Sequence, residues 1–225
     1  MMLCIPDVLT REELERIRAT MAGAEFIDGR ATTGVLGKRV KNNRQLARDS
    51  EAAKTLAPIV EAALRRNYLF DCAVWPKRFE GILFSRYDPG MQYGAHIDNA
   101  LMGRQRGEAA RSDVAFTVFL SDPTSYEGGE LVIESPLGPQ EVKLAAGEAV
   151  VYPASTLHRV AEVTRGQRFV AAGWAQSLIR DPAQREILYD LERVKRSLAE
   201  KNPDAPEATL VFKTQSNLLR MWSEL

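Results

Sequence analysis

The stretch Tyr87-Asp88-Pro89-Gly90-Met91-Gln92-Tyr93-Gly94-Ala95-His96-Ile97-Asp98-Asn99 decides how this chain reads. His96 and Asp98 stand two apart. In an extended segment such residues project from one face, so both can grip a single ion without a bend in the backbone. The sequence holds only 2 histidines. The other, His158, lies in Val151-Tyr152-Pro153-Ala154-Ser155-Thr156-Leu157-His158-Arg159-Val160, and Arg168 follows it in Gly166-Gln167-Arg168-Phe169. Two imidazoles and one carboxylate form a facial set that leaves coordination positions open. Such donors suit Fe(II), Mn(II) or Zn(II) better than Cu(I). A lone His-x-Asp pair is commonplace; the distal histidine and the arginine raise its specificity.

Outward from this stretch the pattern is of strands. Phe79 to Tyr87, Val114 to Leu120, Leu131 to Glu134, Glu141 to Leu144, Ala149 to Tyr152, His158 to Val163 and Arg168 to Gln176 are short, apolar and bounded by Gly, Pro, Asp or Ser. Many short strands without intervening helices predict a sandwich or jelly roll, not a parallel α/β sheet. Before them, Leu3 to Val8 reads as an edge strand limited by Pro6. Thr10 and Glu13 make a capping box ahead of Leu14, Ile17 and Met21. Residues 51–66 carry an apolar stripe (Ala53, Leu56, Ile59, Val60, Ala63, Leu64), with Pro58 marking a kink or a late helix start. Gly23 to Asn43 reads as a polar segment holding a short hairpin. After the strands, Asp181-Pro182 opens a helix with Ile187, Leu188, Leu191, Val194 and Leu198 on one face. Asn202 to Pro206 interrupts it, and a last helix carries Leu218, Leu219 and Trp222. The stretch Arg104 to Arg111 reads as a mobile loop. The expected fold is α+β with a mainly β core: a double-stranded β-helix over residues 1–178 with N-terminal helices, and a helical extension over 179–225.

Composition sets limits. A chain of 225 residues buries roughly 70 % of its unfolded surface and needs no staple. The 30 basic residues balance 30 acidic ones, so no global field draws in nucleic acid or anionic lipid. Cys4 and Cys72 are too few and too unpatterned for a disulfide framework, and point to reduced thiols in a cytoplasmic setting. The first residues lack the basic and apolar regions of a secretory signal. No stretch reaches membrane-span length.

The spacing Tyr87-x-x-Gly90-x-x-Tyr93-x-x-His96-x-Asp98 resembles the signature of prolyl-4-hydroxylase-like Fe(II)/2-oxoglutarate oxygenases. Gly128-Gly129-Glu130-Leu131 and Gly147 to Pro153 resemble further parts of that fold. Val40-Lys41-Asn42-Asn43-Arg44-Gln45 and the helical residues 181–225 are similar to the bacterial PKHD-type hydroxylases, so the resemblance spans essentially the whole chain. It implies Fe(II) on His96, Asp98 and His158, with 2-oxoglutarate as cosubstrate and ascorbate as a candidate reductant. It also implies that Arg168 forks onto the distal carboxylate of 2-oxoglutarate. Tyr87 and Thr117 would add hydroxyls to that pocket, and Trp174 an aromatic wall. Oxidative decarboxylation of the cosubstrate would then be coupled to hydroxylation of a C–H bond.

Rival readings are separable. A nucleic-acid demethylase of the same superfamily typically carries a second arginine six residues past the first, where this chain has Trp174. A zinc hydrolase would leave Arg168 without a task. A non-catalytic metal and 2-oxoglutarate sensor on the same fold would release no succinate. The substrate is not legible: a peptidyl residue, a free amino acid or a small metabolite all fit, and the resemblance adds a siderophore-related role in iron uptake. Val40 to Gln45 and the loop after Asp98 are the candidate substrate contacts, with turn chemistry the alternative for Lys41, Asn42 and Asn43. No nucleic-acid or membrane partner is expected, and the C-terminal helices are expected to form a homo-oligomer.

Overall fold

The computed structural model describes every residue except 104–106, 108, 203 and 204, together with all side chains of its helices and strands but that of Leu36. Its strands are β1 (Leu3–Ile5), β2 (Phe26–Asp28), β3 (Lys41–Asn42), β4 (Arg44–Leu46), β5 (Pro76–Tyr87), β6 (Gln92–His96), β7 (Leu101–Met102), β8 (Ala110–Arg111), β9 (Val114–Phe119), β10 (Tyr126–Gly128), β11 (Leu131–Ile133), β12 (Gln140–Val142), β13 (Ala149–Pro153), β14 (His158–Val160), β15 (Val163–Gly166) and β16 (Arg168–Ser177). The helices are α1 (Arg11–Ala22), α2 (Val35–Val40), α3 (Glu51–Arg66), α4 (Tyr68–Val74), α5 (Pro182–Lys201) and α6 (Pro206–Trp222). A large sheet in the order β1-β13-β9-β16-β5-β4-β2 faces a smaller one in the order β12-β11-β14-β6-β3. Every pairing in both is antiparallel, which gives the jelly roll that the strand pattern predicts.

Alternation along the strands divides the interior in two. On β9, Val114, Phe116 and Val118 join a core shared with Ile17, Leu56, Val60, Leu64 and Phe70 of the helices. Ala115 and Phe119 point the other way, into the space between the sheets, with Tyr87, Val150, Tyr152, Val160 and Val170. Thr117 is on that second face. Each fully buried aliphatic or aromatic side chain contributes about 1.5–3 kcal/mol. The layer beneath the large sheet therefore forms a rigid floor for whatever lies between the sheets.

Helix starts follow the sequence closely. Thr10 and Glu13 close the capping box of α1, and Asp181 accepts from the backbone of Ala183 and Gln184 at the start of α5. In α3, Ser50 caps the helix at Glu51, so the helix does not begin late. Pro58 sits inside it on the exposed side, where water can serve the orphaned carbonyl. Three expectations need correction. Gly23 to Asn43 holds no short hairpin: β2 pairs with β4, beyond Asn43, and a 3-10 turn (Gly29–Thr32), α2 and β3 occupy the connection. The run His158 to Val163 is two strands, because Glu162 turns its carbonyl to the Gly129 N–H. Turn chemistry, the alternative reading of Lys41, Asn42 and Asn43, does not hold: Lys41 and Asn42 form β3, and Asn43 joins it to β4. The loop expected at Arg104 to Arg111 falls partly outside the described residues; its flanks pair as β7 and β8.

The C-terminal helices lie outside both sheets. Tyr68 of α4 donates to Glu192 of α5, and Gln215 of α6 donates to the same carboxylate at 2.7 Å. Beyond α6, Ser223 bridges to Ile179 and Glu224 accepts from Arg111 at 2.6 Å. Among the described residues no helix is long and apolar enough to cross a membrane. Cys4 and Cys72 are both free thiols.

Candidate active site

The smaller sheet brings the metal-type residues together. β6 ends at His96, which stands opposite His158, the first residue of β14. Asp98 lies just beyond β6 in non-strand backbone. The two imidazole centroids are 4.3 Å apart, and donor atoms of His96, Asp98 and His158 all lie within 4.8 Å of one another. No second such cluster occurs among the described residues.

Three observations decide whether a divalent cation fits here. First, Nδ1 of His96 is 2.8 Å from the Gly94 carbonyl, and Nδ1 of His158 is 2.9 Å from the Thr156 carbonyl. A neutral ring that donates there keeps its Nε2 lone pair for a metal. Second, burial, and after it the neighbouring His158, push the His96 pKa down to about 4, which favours the neutral, ligating form. Third, Oδ2 of Asp98 is buried without any hydrogen-bond partner. Burial raises the Asp98 pKa, against the opposing pull of His158, the Trp174 indole and Lys41. A buried carboxylate oxygen with no donor is costly, and a cation is the partner it lacks. The donor set and its surroundings fit the ion.

The large sheet supplies the other half. Arg168 opens β16 directly opposite Tyr87 at the end of β5. Arg168 is 1 % exposed, yet its Nε and one Nη carry no hydrogen-bond partner. Its guanidinium carbon lies 5.1 Å from the Tyr87 ring centroid and 5.5 Å from that of Phe119. A buried fork of this kind suits a carboxylate that enters from outside the chain. The glycine pair makes room for it. Gly129 has φ +70°, and a Cβ there would stand 2.9 Å from the Arg168 Cδ.

Around Arg168, burial raises the Tyr87 pKa. Thr117, 4 % exposed, faces the Tyr152 hydroxyl. Trp174 lies on the same face of β16, but its charged neighbour is Asp98, not Arg168.

The structure therefore gathers all seven residues singled out in the sequence between the two sheets. It adds others. Tyr126 is 2 % exposed, its hydroxyl has no partner, and it lies within the influence of Arg168. The tyrosine sits two residues ahead of the glycine pair, which was the available signal. Lys41, Asn43 and Gln45 are buried and alternate with exposed Asn42 and Arg44. That period of two was legible in hindsight only once the segment was known to be extended.

A model of the 2OG-Fe(II) oxygenase superfamily matches residues 82–176, and one of the PKHD-type hydroxylase C-terminal domain matches residues 182–224. A PKHD-type hydroxylase of Synechococcus elongatus is 50 % identical over 224 residues, covering 100 % of both chains. Among solved structures, a Pseudomonas putida prolyl-4-hydroxylase aligns with a TM-score of 0.53 at 20 % identity, over 78 % of this chain and 92 % of its own. HygX from Streptomyces hygroscopicus, solved with nickel and 2-oxoglutarate bound, aligns with a TM-score of 0.54 at 18 % identity, over 79 % of this chain and 84 % of its own. The structural matches carry the fold. The full-length relative carries the lineage: this chain belongs to the PKHD-type hydroxylase family, and is a 2-oxoglutarate- and Fe(II)-dependent dioxygenase.

Proposed function

We propose that the chain hydroxylates a C–H bond of a peptidyl residue or small metabolite, with His96, Asp98 and His158 holding Fe(II) and Arg168 anchoring 2-oxoglutarate. The observation that carries this reading is the pairing of a convergent His-Asp-His donor set with a buried guanidinium that has unused donors. When bound, Fe(II) and 2-oxoglutarate together supply the O₂-derived oxidant. The protein supplies placement. The Gly94 and Thr156 carbonyls fix the tautomers and ring planes of the two histidines. Tyr93 stacks on His96 with ring centroids 3.6 Å apart and blocks that side. Arg168 grips the distal carboxylate, with the Tyr87 and Tyr126 hydroxyls as further donors and Thr117 in the same wall. Trp174 closes the Asp98 side and shields it from water.

The test is anaerobic loading with Fe(II) and 2-oxoglutarate, followed by O₂. Succinate should form, and untargeted mass spectrometry of added metabolite and peptide pools should find products gaining one oxygen atom. Metal and 2-oxoglutarate binding without succinate in any pool would favour the sensor reading. Metal binding and 2-oxoglutarate turnover both retained in His96→Ala would overturn the ligand set.

A further inference from the structure

The cleft contains a second buried cation that this mechanism does not use. β3 pairs with β6 in the smaller sheet and β4 with β5 in the larger one. The stretch Lys41 to Gln45 therefore crosses from one sheet to the other and forms a closed edge of the cleft. Its inward residues are all polar. Lys41 is 6 % exposed and Asn43 3 %. The Lys41 ammonium lies 5.1 Å from the Tyr93 ring, the same ring that stacks on His96, so it stands on the metal side of the cleft.

Buried cations ordinarily sit against carboxylates. The Lys41 ammonium instead donates to neutral oxygens, Thr32 Oγ1 at 3.0 Å and Gln45 Oε1 at 3.2 Å. Of its three N–H groups one is left over. Asp28 and Asp98 are within its electrostatic reach, but Asp28 is already gripped by Arg30, Asp98 belongs to the metal set, and Arg48 adds positive potential. Asn43 shows the same incompleteness: both its amide oxygen and its amide nitrogen are buried without a partner. Gln45 is held by Ser85 at 2.8 Å, so the edge is fixed. In the loaded site the charges of Fe(II) and 2-oxoglutarate cancel, and the one Asp98 carboxylate stands against two cations, Arg168 and Lys41. One positive charge is therefore left over for an entering anion.

Resting on the function proposed above, we infer that Lys41 and Asn43 form a subsite for the carboxylate of a small monoanionic substrate, with Lys41 supplying the charge and Asn43 the orienting amide. The hydroxylated carbon then lies near that carboxylate, because Lys41 and His96 flank the same tyrosine ring. A carboxylate in this subsite has two sources, the substrate or 2-oxoglutarate itself, and the test separates them.

Full-length protein is loaded with Zn(II), as a diamagnetic stand-in, and with 2-oxoglutarate. Saturation-transfer NMR then measures binding of matched probes: N-acetyl-L-amino acids and short straight-chain carboxylic acids, each as free carboxylate and as primary amide. Carboxylates should bind at least about tenfold more tightly than the amides. Lys41→Met should abolish that preference and leave 2-oxoglutarate affinity unchanged, Lys41→Arg should keep part of it, and Asn43→Ala should weaken it. Circular dichroism checks that each variant is folded; Asn43→Ala serves if Lys41→Met is not. Equal binding of amides, or no binding by any probe, overturns the inference. A parallel loss of 2-oxoglutarate affinity in Lys41→Met also overturns it, by giving Lys41 to the cosubstrate. Wild-type protein that binds no 2-oxoglutarate would instead remove the underlying function.

Discussion

Arg168 is buried with donors unused, so its removal should be felt almost wholly in cosubstrate binding. Arg168→Ala should cost on the order of 3–5 kcal/mol of 2-oxoglutarate affinity, the usual effect of truncating one partner of a buried charge pair. Arg168→Lys should restore only part, since a point charge cannot reproduce the two-pronged geometry. Anaerobic titration of metal-loaded protein reads this directly, and unchanged affinity in Arg168→Ala would move the carboxylate elsewhere. Gly129→Ala tests the same contact from behind. The added Cβ meets Arg168 Cδ at 2.9 Å in a backbone with φ +70°. It should therefore lower both the melting temperature, by roughly 1–2 kcal/mol of stability, and 2-oxoglutarate affinity. Loss of stability alone would show that the glycine serves only the turn. At this scale the metal set was readable because the chain has only 2 histidines and their spacing has a geometric meaning. Tyr126 was not assigned, and within the candidate stretch Val40 to Gln45 neither Lys41 nor Asn43 was singled out, because what sets these residues apart is burial, and a sequence does not display burial.

Elements with strong local signals were the legible ones. The Thr10–Glu13 box and the Asp181-Pro182 start both mark real helices, since capping is a short-range interaction written within a few residues. Thr10→Ala should cost about 1 kcal/mol, measured by denaturant unfolding. By contrast α4 passed unnoticed: Tyr68–Val74 is only 7 residues, too few to show a periodic stripe, and Phe70, Cys72, Ala73 and Val74 are all buried. The segment 26–46 misled for a related reason, because its turns answer to tertiary partners such as Tyr93 and Gly90. The α4–α5–α6 junction carries a pH signature. Burial alone would raise the Glu192 carboxyl, but hydrogen bonds from Lys195, Tyr68 and Gln215 outweigh it and hold its pKa below the ordinary 4.5. A carboxyl depressed on folding stabilises the native state above its unfolded pKa, and that contribution is lost as pH falls through the folded value. Melting temperature should therefore drop below about pH 4.5 in the wild type and less steeply in Glu192→Gln; identical pH profiles would remove Glu192 from the junction's energetics.

For the whole molecule, self-association is the open property. α6 leaves Leu210 and Phe212 58 % exposed and Met221 74 % exposed. Leu210 and Met221 lie on one side of the helix and Phe212 on the opposite side, and exposed apolar side chains of this size are what an interface would cover. Sedimentation velocity at micromolar concentration is expected to show a dimer, and Leu210→Glu combined with Phe212→Glu to return a monomer. A monomeric wild type would mean that these helices serve only their own barrel, through Glu192 and Glu224. The jelly roll itself was legible because many short strands without helices between them admit few layer architectures; the strand order was not, since it is decided by partners distant in sequence. That order sets the pace at which the molecule forms. In the large sheet β1 finds β13, β9 finds β16 and β16 finds β5, so long chain loops must close before these contacts reward them. Such topologies refold in about milliseconds to seconds, with unpaired strand edges exposed meanwhile. His96 and His158 meet only across the β6–β14 ladder. Metal affinity should accordingly appear late in refolding, and an ion added to unfolded chain would do little to guide it.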